Sequence, residues 1–328
     1  MLAARARAAR TLRSAAAGAL SQLHARMTVY TSDQAHSCVK KAAMICGLEH
    51  GLRVIPASAA TNYALDPERL SAALAADVAA GRVPVFACVS VGTTSTCGID
   101  PVAAIAQVLR RYQPSLHCPV IPSRLLLPPR PLFQWLLVNF DCSALWVQDR
   151  RPLVQALSVT PEFLRSAEYD SGRVSDYRDW QVPLGRKFRA LKIWFTLRAY
   201  GAARLRGHIR KHCALAAHFA DLVRADQRWE LVAPPRLGLV CFRLRGNGGG
   251  CGDGRDGPTR LVKERLAAGG KAFLVNTVLE GRYVLRFAVG SPRTEERHVV
   301  ETWRELQRLA DEALREQSEE IASGRNPP

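Results

Sequence analysis

His36 is a residue whose type and position could serve ligand binding. It follows TVYT (28–31), a run typical of a short strand, and lies in the first turn of the helix predicted next. Ser32 or Asp33 is expected to cap that helix and Gly47 to end it. This position is the carboxyl edge of a sheet, where α/β proteins bind their ligands. A lone histidine here could equally be a structural residue.

Thr94 occupies a similar position after another strand. The run VFACVSV (85–91) is β-prone without polar alternation, which is typical of a strand buried on both faces. It ends in GTTST (92–96), which contains Thr94. A hydroxyl at such a turn can contact a ligand, or it can simply cap the turn.

The cysteines do not form a metal or disulfide-exchange motif. There are nine, and no two are spaced C-x-x-C, which argues against a zinc ribbon and a thioredoxin-type site. A chain of 328 residues needs no disulfides for stability, so reduced thiols in a cytosol-like compartment are expected.

Composition indicates a globular protein with an unusual charge. Hydrophobic residues make up 48%, and no apolar run is long enough to cross a membrane. Lys and Arg number 46 against 29 Asp and Glu, a net charge of +17, which raises nucleic acid as a partner. Ten of the basic residues lie between Arg178 and Lys211. The first 32 residues have five Arg and no acidic residue, as in an organelle transit peptide or an ordinary basic helix.

Apolar runs and helical patterns alternate in the first third of the chain, which favours a parallel sheet covered by helices. Helices are predicted over 66–80 and from Asp100 to about Leu109. Five prolines interrupt the pattern within 118–131, and two strand-like runs, WLLVNFD and SALWVQD, follow from Trp135.

The C-terminal part is predicted to be a smaller α+β unit. Its elements are a long helical region (186–224), a strand (237–244), a glycine-rich loop (246–257), two strands within 272–289 and a closing helix (294–317).

Several segments, in this order, resemble the group II pyridoxal-phosphate (PLP) amino-acid decarboxylases, the family of aromatic amino-acid decarboxylases. They are YTSDQAHSCVKKAA, VSVGTTSTCGIDP, WLLVNFDCSALWV, DYRDWQVPLGRKFRALKIWFTLRAYG, IRKH, LGLVCFRL and YVLRFAVGSPRTEERHV. The resemblance implies an α/β fold of fold-type I, with a large domain on a mostly parallel sheet, here incomplete, and a small C-terminal α+β domain. It also implies a homodimer with sites at the subunit interface. The expected division is a basic helix in 1–26, a partial PLP-binding domain in 27–200 with an aberrant insert at 118–134, and the small domain in 201–328.

The resemblance assigns cofactor and substrate roles to three residues. His36 matches the histidine that stacks on the PLP ring, and Thr94 matches a threonine beside the cofactor. Gly185 matches a position that borders the substrate pocket from the partner subunit, and glycine there suits an aromatic amino acid. Without the resemblance, Gly185 is only a loop glycine.

Phe163 falls where decarboxylating members carry the tyrosine that protonates the intermediate and releases the amine. Phenylalanine cannot donate a proton. Members with Phe here resemble aromatic aldehyde synthases, which couple decarboxylation to oxidative deamination. A core aromatic is the alternative interpretation of Phe163.

The sequence departs from the family at the cofactor lysine. The family has N-P-H-K-W where this chain has P-L-F-Q-W, so the lysine position is Gln134, which cannot attach PLP covalently. The H-V-D-A-A segment with the pyridine-binding aspartate is also missing, and 118–134 resembles translated intron. Nothing in the sequence indicates that Lys187 or Lys192 takes the place of the missing cofactor lysine.

The resemblance also implies that the family's leading segment, with pocket aromatics and a phosphate cup, would precede residue 1. The interpretation of 2–13 as a family-internal helix then favours a cytoplasmic protein over an organelle-targeted one.

The sequence leads to one main expectation about function and to three alternatives. The family activity is PLP-dependent decarboxylation of aromatic L-amino acids, with this chain inactive through Gln134. An aromatic aldehyde synthase is the alternative within the family. A pseudoenzyme and a basic nucleic-acid-binding protein are the alternatives from other classes. No membrane association is expected.

Overall fold

A computed structural model describes residues 1–13, 20–112, 135–145, 147–245 and 256–322. The elements divide into an N-terminal parallel sheet with its helices and a C-terminal antiparallel sheet with its own. In the first part the elements are α1 (Leu2–Arg13), α2 (Leu20–Arg26), β1 (Met27–Ser32), α3 (Cys38–Ile45), β2 (Leu52–Ile55), α4 (Pro67–Ala79), β3 (Val83–Ala87) and α5 (Val102–Arg111). In the second they are α6 (Arg151–Leu157), α7 (Ala167–Asp170), α8 (Ala190–Ala225), β4 (Trp229–Leu231), β5 (Leu239–Leu244), α9 (Gly257–Ala268), β6 (Val275–Leu279), β7 (Arg282–Ala288) and α10 (Glu296–Ala322).

The N-terminal sheet confirms the predicted α/β architecture. Its strand order is β2-β1-β3 with both pairs parallel, and all six residues of the central strand β1 are buried. Apolar side chains cover both faces, as expected for a parallel sheet. One cluster includes Leu70, Leu74 and Ile105, and another includes Ala8 and Leu48.

Local sequence signals set the bounds of α4. The Asp66 carboxylate accepts the backbone N–H of Glu68 at 2.8 Å, and Pro67 occupies the first turn, where its missing N–H costs nothing. Leu70 and Leu74 then lie one turn apart on the buried face. The prediction over 66–80 is confirmed because cap and periodicity agree.

A buried polar network fixes β1 against α4. The Tyr30 hydroxyl donates to the Asp77 carboxylate at 2.7 Å, and Arg53 of β2 donates to the same group at 3.0 Å. Asp77 is 7% exposed, so both donors compensate for its burial. Burial also raises the pKa of Tyr30.

The C-terminal part is the expected α+β unit. The strand order is β4-β5-β7-β6 and every pair is antiparallel. Its core is aromatic: the Phe219 ring of α8 stacks on that of Phe287 at 3.9 Å between centres and meets Trp303 of α10 edge-on.

Three sequence-based expectations about elements are wrong. The helix after β1 begins at Cys38 and not near Ser32, because Ser32 continues the strand and residues 33–37 turn. The strand predicted over 85–91 is β3, which runs from Val83 to Ala87. Beyond Ala87 the chain no longer pairs with β1. No strand forms among the described residues of 135–149, since no neighbouring strand supplies a ladder there.

Residues 135–145 instead pack through side chains. Val138 and Cys142 form a small buried cluster, and Ile193 of α8 packs against it. The long helical region predicted over 186–224 corresponds to α8, whose helical geometry is interrupted at Gly201 with φ +67°. In the part of the chain that the structure describes, no helix has both the length and the apolar character that crossing a membrane requires.

Candidate cofactor site at the carboxyl edge of the parallel sheet

The carboxyl ends of β1, β2 and β3 form one edge, and the loops after them are joined. The backbone N–H of Asp33 donates to the Ile55 carbonyl at 3.1 Å, and its carboxylate accepts the N–H of Ala57 at 3.1 Å. The loops that follow β1 and β2 are therefore fixed relative to each other.

His36 lies on the first of these loops, exposed and two residues before α3 begins. Its Nδ1 accepts the backbone N–H of Cys38 at 3.1 Å. A nitrogen that accepts carries no proton, so in the neutral ring the proton is on Nε2. The ring is thus oriented by the helix start and still presents surface to a ligand.

The turn that carries Thr94 is held by its own hydroxyls and amides. The Oγ1 atoms of Thr93 and Thr96 lie 3.0 Å apart, and Thr93 Oγ1 accepts the N–H of Gly98 at 3.0 Å. Thr93 and Thr96 are buried, whereas Thr94 is exposed at the tip. The buried threonines support the turn and leave the Thr94 side chain available.

One hydrogen bond brings the His36 and Thr94 loops together. The Ser95 hydroxyl donates to the Gln34 side-chain carbonyl at 2.5 Å. The two predicted cofactor residues therefore stand on loops that contact each other at one edge of the sheet.

Asp100 is a supporting residue that the sequence analysis missed. It is 2% exposed, and its carboxylate accepts the backbone N–H groups of Leu65 at 2.7 Å and Ser90 at 2.6 Å. Burial raises its pKa, while the two amide bonds oppose that shift. In the sequence, an aspartate just before Pro101 indicates only the start of a helix. Nothing in the sequence shows that its carboxylate binds the backbone of Leu65 and Ser90.

The C-terminal sheet also holds the Thr94 turn. Arg286 of β7 donates from Nε to the Ser95 carbonyl at 3.0 Å and from its terminal nitrogen to the Thr94 carbonyl. The Cys241 thiol of β5 lies 3.2 Å from the Ser95 carbonyl, and burial raises its pKa to about 12. The site edge is therefore built from both parts of the chain.

The two other predicted site residues that the structure describes are exposed and form no hydrogen bond with the loops of His36 and Thr94. Phe163 is 82% exposed in a 3₁₀ turn, which excludes the core-aromatic interpretation. Gly185 is exposed, and its carbonyl accepts from the Gln181 side chain at 2.9 Å. Gln134 lies outside the described residues.

The residues present fit PLP held without a covalent bond, and not PLP attached to a lysine. An oriented, exposed imidazole and an exposed hydroxyl share the edge, but the residue predicted at the position of the family lysine is Gln134, which has no amine. Lys192 is engaged elsewhere, because its Nζ donates to the Phe140 carbonyl at 3.1 Å and lies 4.0 Å from the Asp141 carboxylate.

Comparison with known proteins agrees with this fold. The pyridoxal-dependent decarboxylase conserved domain matches residues 1–119 and 133–245 and leaves out 120–132, within the proline-rich segment. The chain belongs to the pyridoxal-dependent decarboxylase family.

Curated relatives in plants are similar over most of the chain. Tryptophan decarboxylase 2 of Oryza sativa subsp. japonica is 41% identical over 307 residues, 88% of this chain and 62% of the relative. Phenylacetaldehyde synthase of Arabidopsis thaliana is 39% identical, over 93% of this chain and 65% of that protein. The chain thus spans less than two thirds of the length of these relatives.

Solved structures share the fold. A crystal structure of Oryza sativa TDC with PLP and tryptamine has a TM-score of 0.83 at 41% identity, covering 95% of this chain and 67% of that one. A crystal structure of mouse CSAD, 22% identical, has a TM-score of 0.74 over 94% of this chain and 69% of that one, and supports the fold alone.

Proposed function

We propose that this chain descends from a PLP-dependent enzyme that removes the carboxyl group of aromatic L-amino acids, and that the chain itself has lost catalysis. One observation carries the proposal of a PLP-dependent ancestor. His36 and Thr94, the two family-matched cofactor positions, lie on loops that the Ser95–Gln34 hydrogen bond joins. The similarity to a tryptophan decarboxylase and a phenylacetaldehyde synthase supports the aromatic substrate class.

The residues at this edge would bind and orient the cofactor. His36 would lie against the ring face, with its tilt set by the bond to the Cys38 amide, and Thr94 would offer its hydroxyl beside the ring. Arg286 would keep the Thr94 turn in place from β7. When bound, PLP supplies an electron sink for the pair of electrons left as CO2 departs.

Gln134 is the reason for proposing lost catalysis. An amide nitrogen is not a nucleophile, so Gln134 cannot bond to the PLP aldehyde as a lysine amine does. The flanking segment 120–132 lies outside the family match, and residues 101–140 contain no Asp or Glu that could replace the pyridine-binding aspartate.

Borohydride labelling tests this directly. The purified chain is incubated with PLP, reduced with borohydride, and digested for mass spectrometry, in parallel with CO2 release from carboxyl-labelled L-tryptophan. We expect no cofactor-labelled peptide and no CO2. The Gln134→Lys variant tests the attachment position, with Gln148→Lys as the matched control. CO2 release by the unmodified chain would overturn the proposal of lost catalysis.

We also propose that the chain forms a homodimer through residues 159–200. Several large apolar side chains are more than half exposed there, and exposed apolar side chains in such number are typical of an interface. They include Val159, Phe163, Val182, Phe188, Trp194 and Phe195. A second copy is favoured over nucleic acid because phosphate contacts do not require exposed aromatic and aliphatic side chains.

We propose a cytoplasmic location. The support is that five cysteines of the described residues are free thiols, as expected in a reducing compartment: Cys38, Cys46, Cys88, Cys142 and Cys241. Expression of the chain with a C-terminal fluorescent tag tests this, and accumulation in an organelle would contradict it.

A further inference from the structure

Gln34 is partly buried between the loop that follows β1 and the turn that follows β3. Its side-chain oxygen accepts the Ser95 hydroxyl at 2.5 Å, and its side-chain nitrogen donates to the Asp33 carboxylate at 3.3 Å. Because an ionised carboxylate can only accept, the nitrogen faces Asp33 and the oxygen faces Ser95. The amide of Gln34 therefore has one orientation, with a different partner at each end.

The two partners that Gln34 joins are themselves held in place. On one side, the Ser95 carbonyl accepts from Nε of Arg286 at 3.0 Å. On the other side, the Asp33 carboxylate accepts the backbone N–H of Ala57, in the loop that follows β2, at 3.1 Å. The Gln34 amide thus connects, directly or through Asp33, the loops that follow all three strands of the N-terminal sheet.

Both residues of this bridge are close in the chain to a residue predicted to contact the cofactor. Gln34 lies two residues before His36, and Ser95 directly follows Thr94. The hydrogen bond between Ser95 and Gln34 therefore limits how far the loops of His36 and Thr94 can separate. Two binding groups that are held in place before a ligand arrives bind it more tightly, because the ligand does not have to order them.

We propose that Gln34 is a positioning residue, which sets the separation of His36 and Thr94 for binding of the phosphorylated pyridine ring. It acts through its bonds to Ser95 and Asp33 and does not itself contact the ligand. This role rests on the PLP binding proposed above for the same edge. It is separate from the loss of catalysis, because it concerns binding of the ring and not covalent attachment of the cofactor.

Equilibrium dialysis of the full chain against pyridoxine 5′-phosphate tests this role. This compound has an alcohol in place of the PLP aldehyde, so it does not react with surface lysines and reports only non-covalent binding. In Gln34→Leu, which removes both side-chain bonds at similar volume, we expect the dissociation constant to rise about 3- to 10-fold, the range that a net hydrogen bond contributes. The matched control is Gln107→Leu, at an exposed glutamine of α5, which should bind as the unmodified chain does.

A second variant, Ser95→Ala, removes only the bond between the two loops and should weaken binding to a similar degree. The double variant should bind no more weakly than Gln34→Leu alone, because both changes remove the same bond. Hydrogen exchange measured by mass spectrometry without ligand gives an independent readout. In Gln34→Leu we expect faster exchange in residues 92–98 and unchanged exchange in α4, with circular dichroism confirming that the variant is folded.

The outcomes separate the role of Gln34 from the proposed function. Equal affinity of folded Gln34→Leu and the unmodified chain would overturn the role of Gln34 and leave the cofactor edge in place. A double variant whose loss is the product of the two single losses would overturn it as well, since the two side chains would then act independently. If the unmodified chain binds no pyridoxine 5′-phosphate, the proposed cofactor edge is contradicted, and the role of Gln34 with it.

Discussion

At the residue scale, Asp77 shows how much a single buried carboxylate can contribute. It is 7% exposed and receives hydrogen bonds from Tyr30 of β1 and Arg53 of β2. Removing it leaves a charged guanidinium and a buried hydroxyl without their acceptor, a more costly change than the loss of the bonds themselves.

We therefore expect Asp77→Ala to lower the free energy of unfolding by about 3 kcal/mol, measured by urea denaturation. The control is Asp221→Ala, which removes a pair with Arg224 whose side chains are 54% and 69% exposed. That pair should contribute less than about 1 kcal/mol. Equal effects of the two changes would show that the buried network is not a stabilising feature.

Phe163 carries the second prediction at this scale. Its ring is 82% exposed in the single chain, so a hydroxyl can be added there without displacing a side chain of the chain's own core. If Gln134→Lys restores turnover, we expect an aromatic amino acid and dissolved O2 to give the aldehyde, CO2, ammonia and hydrogen peroxide, since phenylalanine has no proton to donate for release of the amine.

Adding Phe163→Tyr to that form should shift the product toward the amine. Chromatographic quantification of amine and aldehyde measures the shift, and Phe188→Tyr, at another exposed ring, is the matched control. An unchanged product ratio in the Phe163→Tyr form would contradict the assigned role.

At the element scale, Glu305 links α10 to the chain before β6. Its carboxylate accepts from Arg308 on the same helix at 2.7 Å and from Lys271 at 3.1 Å. The Arg308 guanidinium, with Lys271, holds the pKa of Glu305 at about 2. A folded-state pKa below the unfolded one stabilises the fold at pH values above the unfolded pKa, and this contribution is lost as pH falls toward 2.

We expect Glu305→Gln to destabilise the protein at pH 7 by about 1 kcal/mol or less, as for other partly exposed ion pairs. The difference from the unmodified chain should shrink as the pH falls from 5 toward 2, because protonation of Glu305, first in the unfolded chain and then in the folded one, removes the charge that glutamine lacks. Urea denaturation across this range measures it. A difference that stays constant with pH would point to packing and not to charge.

At the scale of the whole molecule, the exposed apolar side chains of 159–200 are the main feature. Trp194 and Phe195 of α8 are 54% and 58% exposed in the single chain. If a second copy covers them, a charge placed there must be desolvated in the dimer but not in the monomer.

Trp194→Glu should therefore convert a dimer to a monomer, as measured by light scattering after size exclusion. Val278→Glu, at an exposed apolar residue of β6, is the control and should leave the oligomeric state unchanged. A monomeric unmodified chain would contradict the dimer. Duplex binding that weakens steeply with salt would favour the nucleic-acid alternative.

The sequence by itself determined the fold class, the family and most helices and strands. The signals for these are local: the Asp66 cap with Pro67, the periodic Leu70 and Leu74, and apolar runs of strand length. Such patterns follow from backbone geometry and burial of one face, so they can be recognised without knowing what lies opposite.

Tertiary structure decided what depends on partners distant in the chain. WLLVNFD looked like a strand, but a strand needs a neighbour to pair with, and Val138 instead lies in a small buried cluster that Ile193 packs against. Asp100 supports the site only because its carboxylate accepts the backbone N–H groups of Leu65 and Ser90. Only the folded chain brings such groups within bonding distance, because hydrogen bonds act over a few ångströms, whatever the separation in sequence.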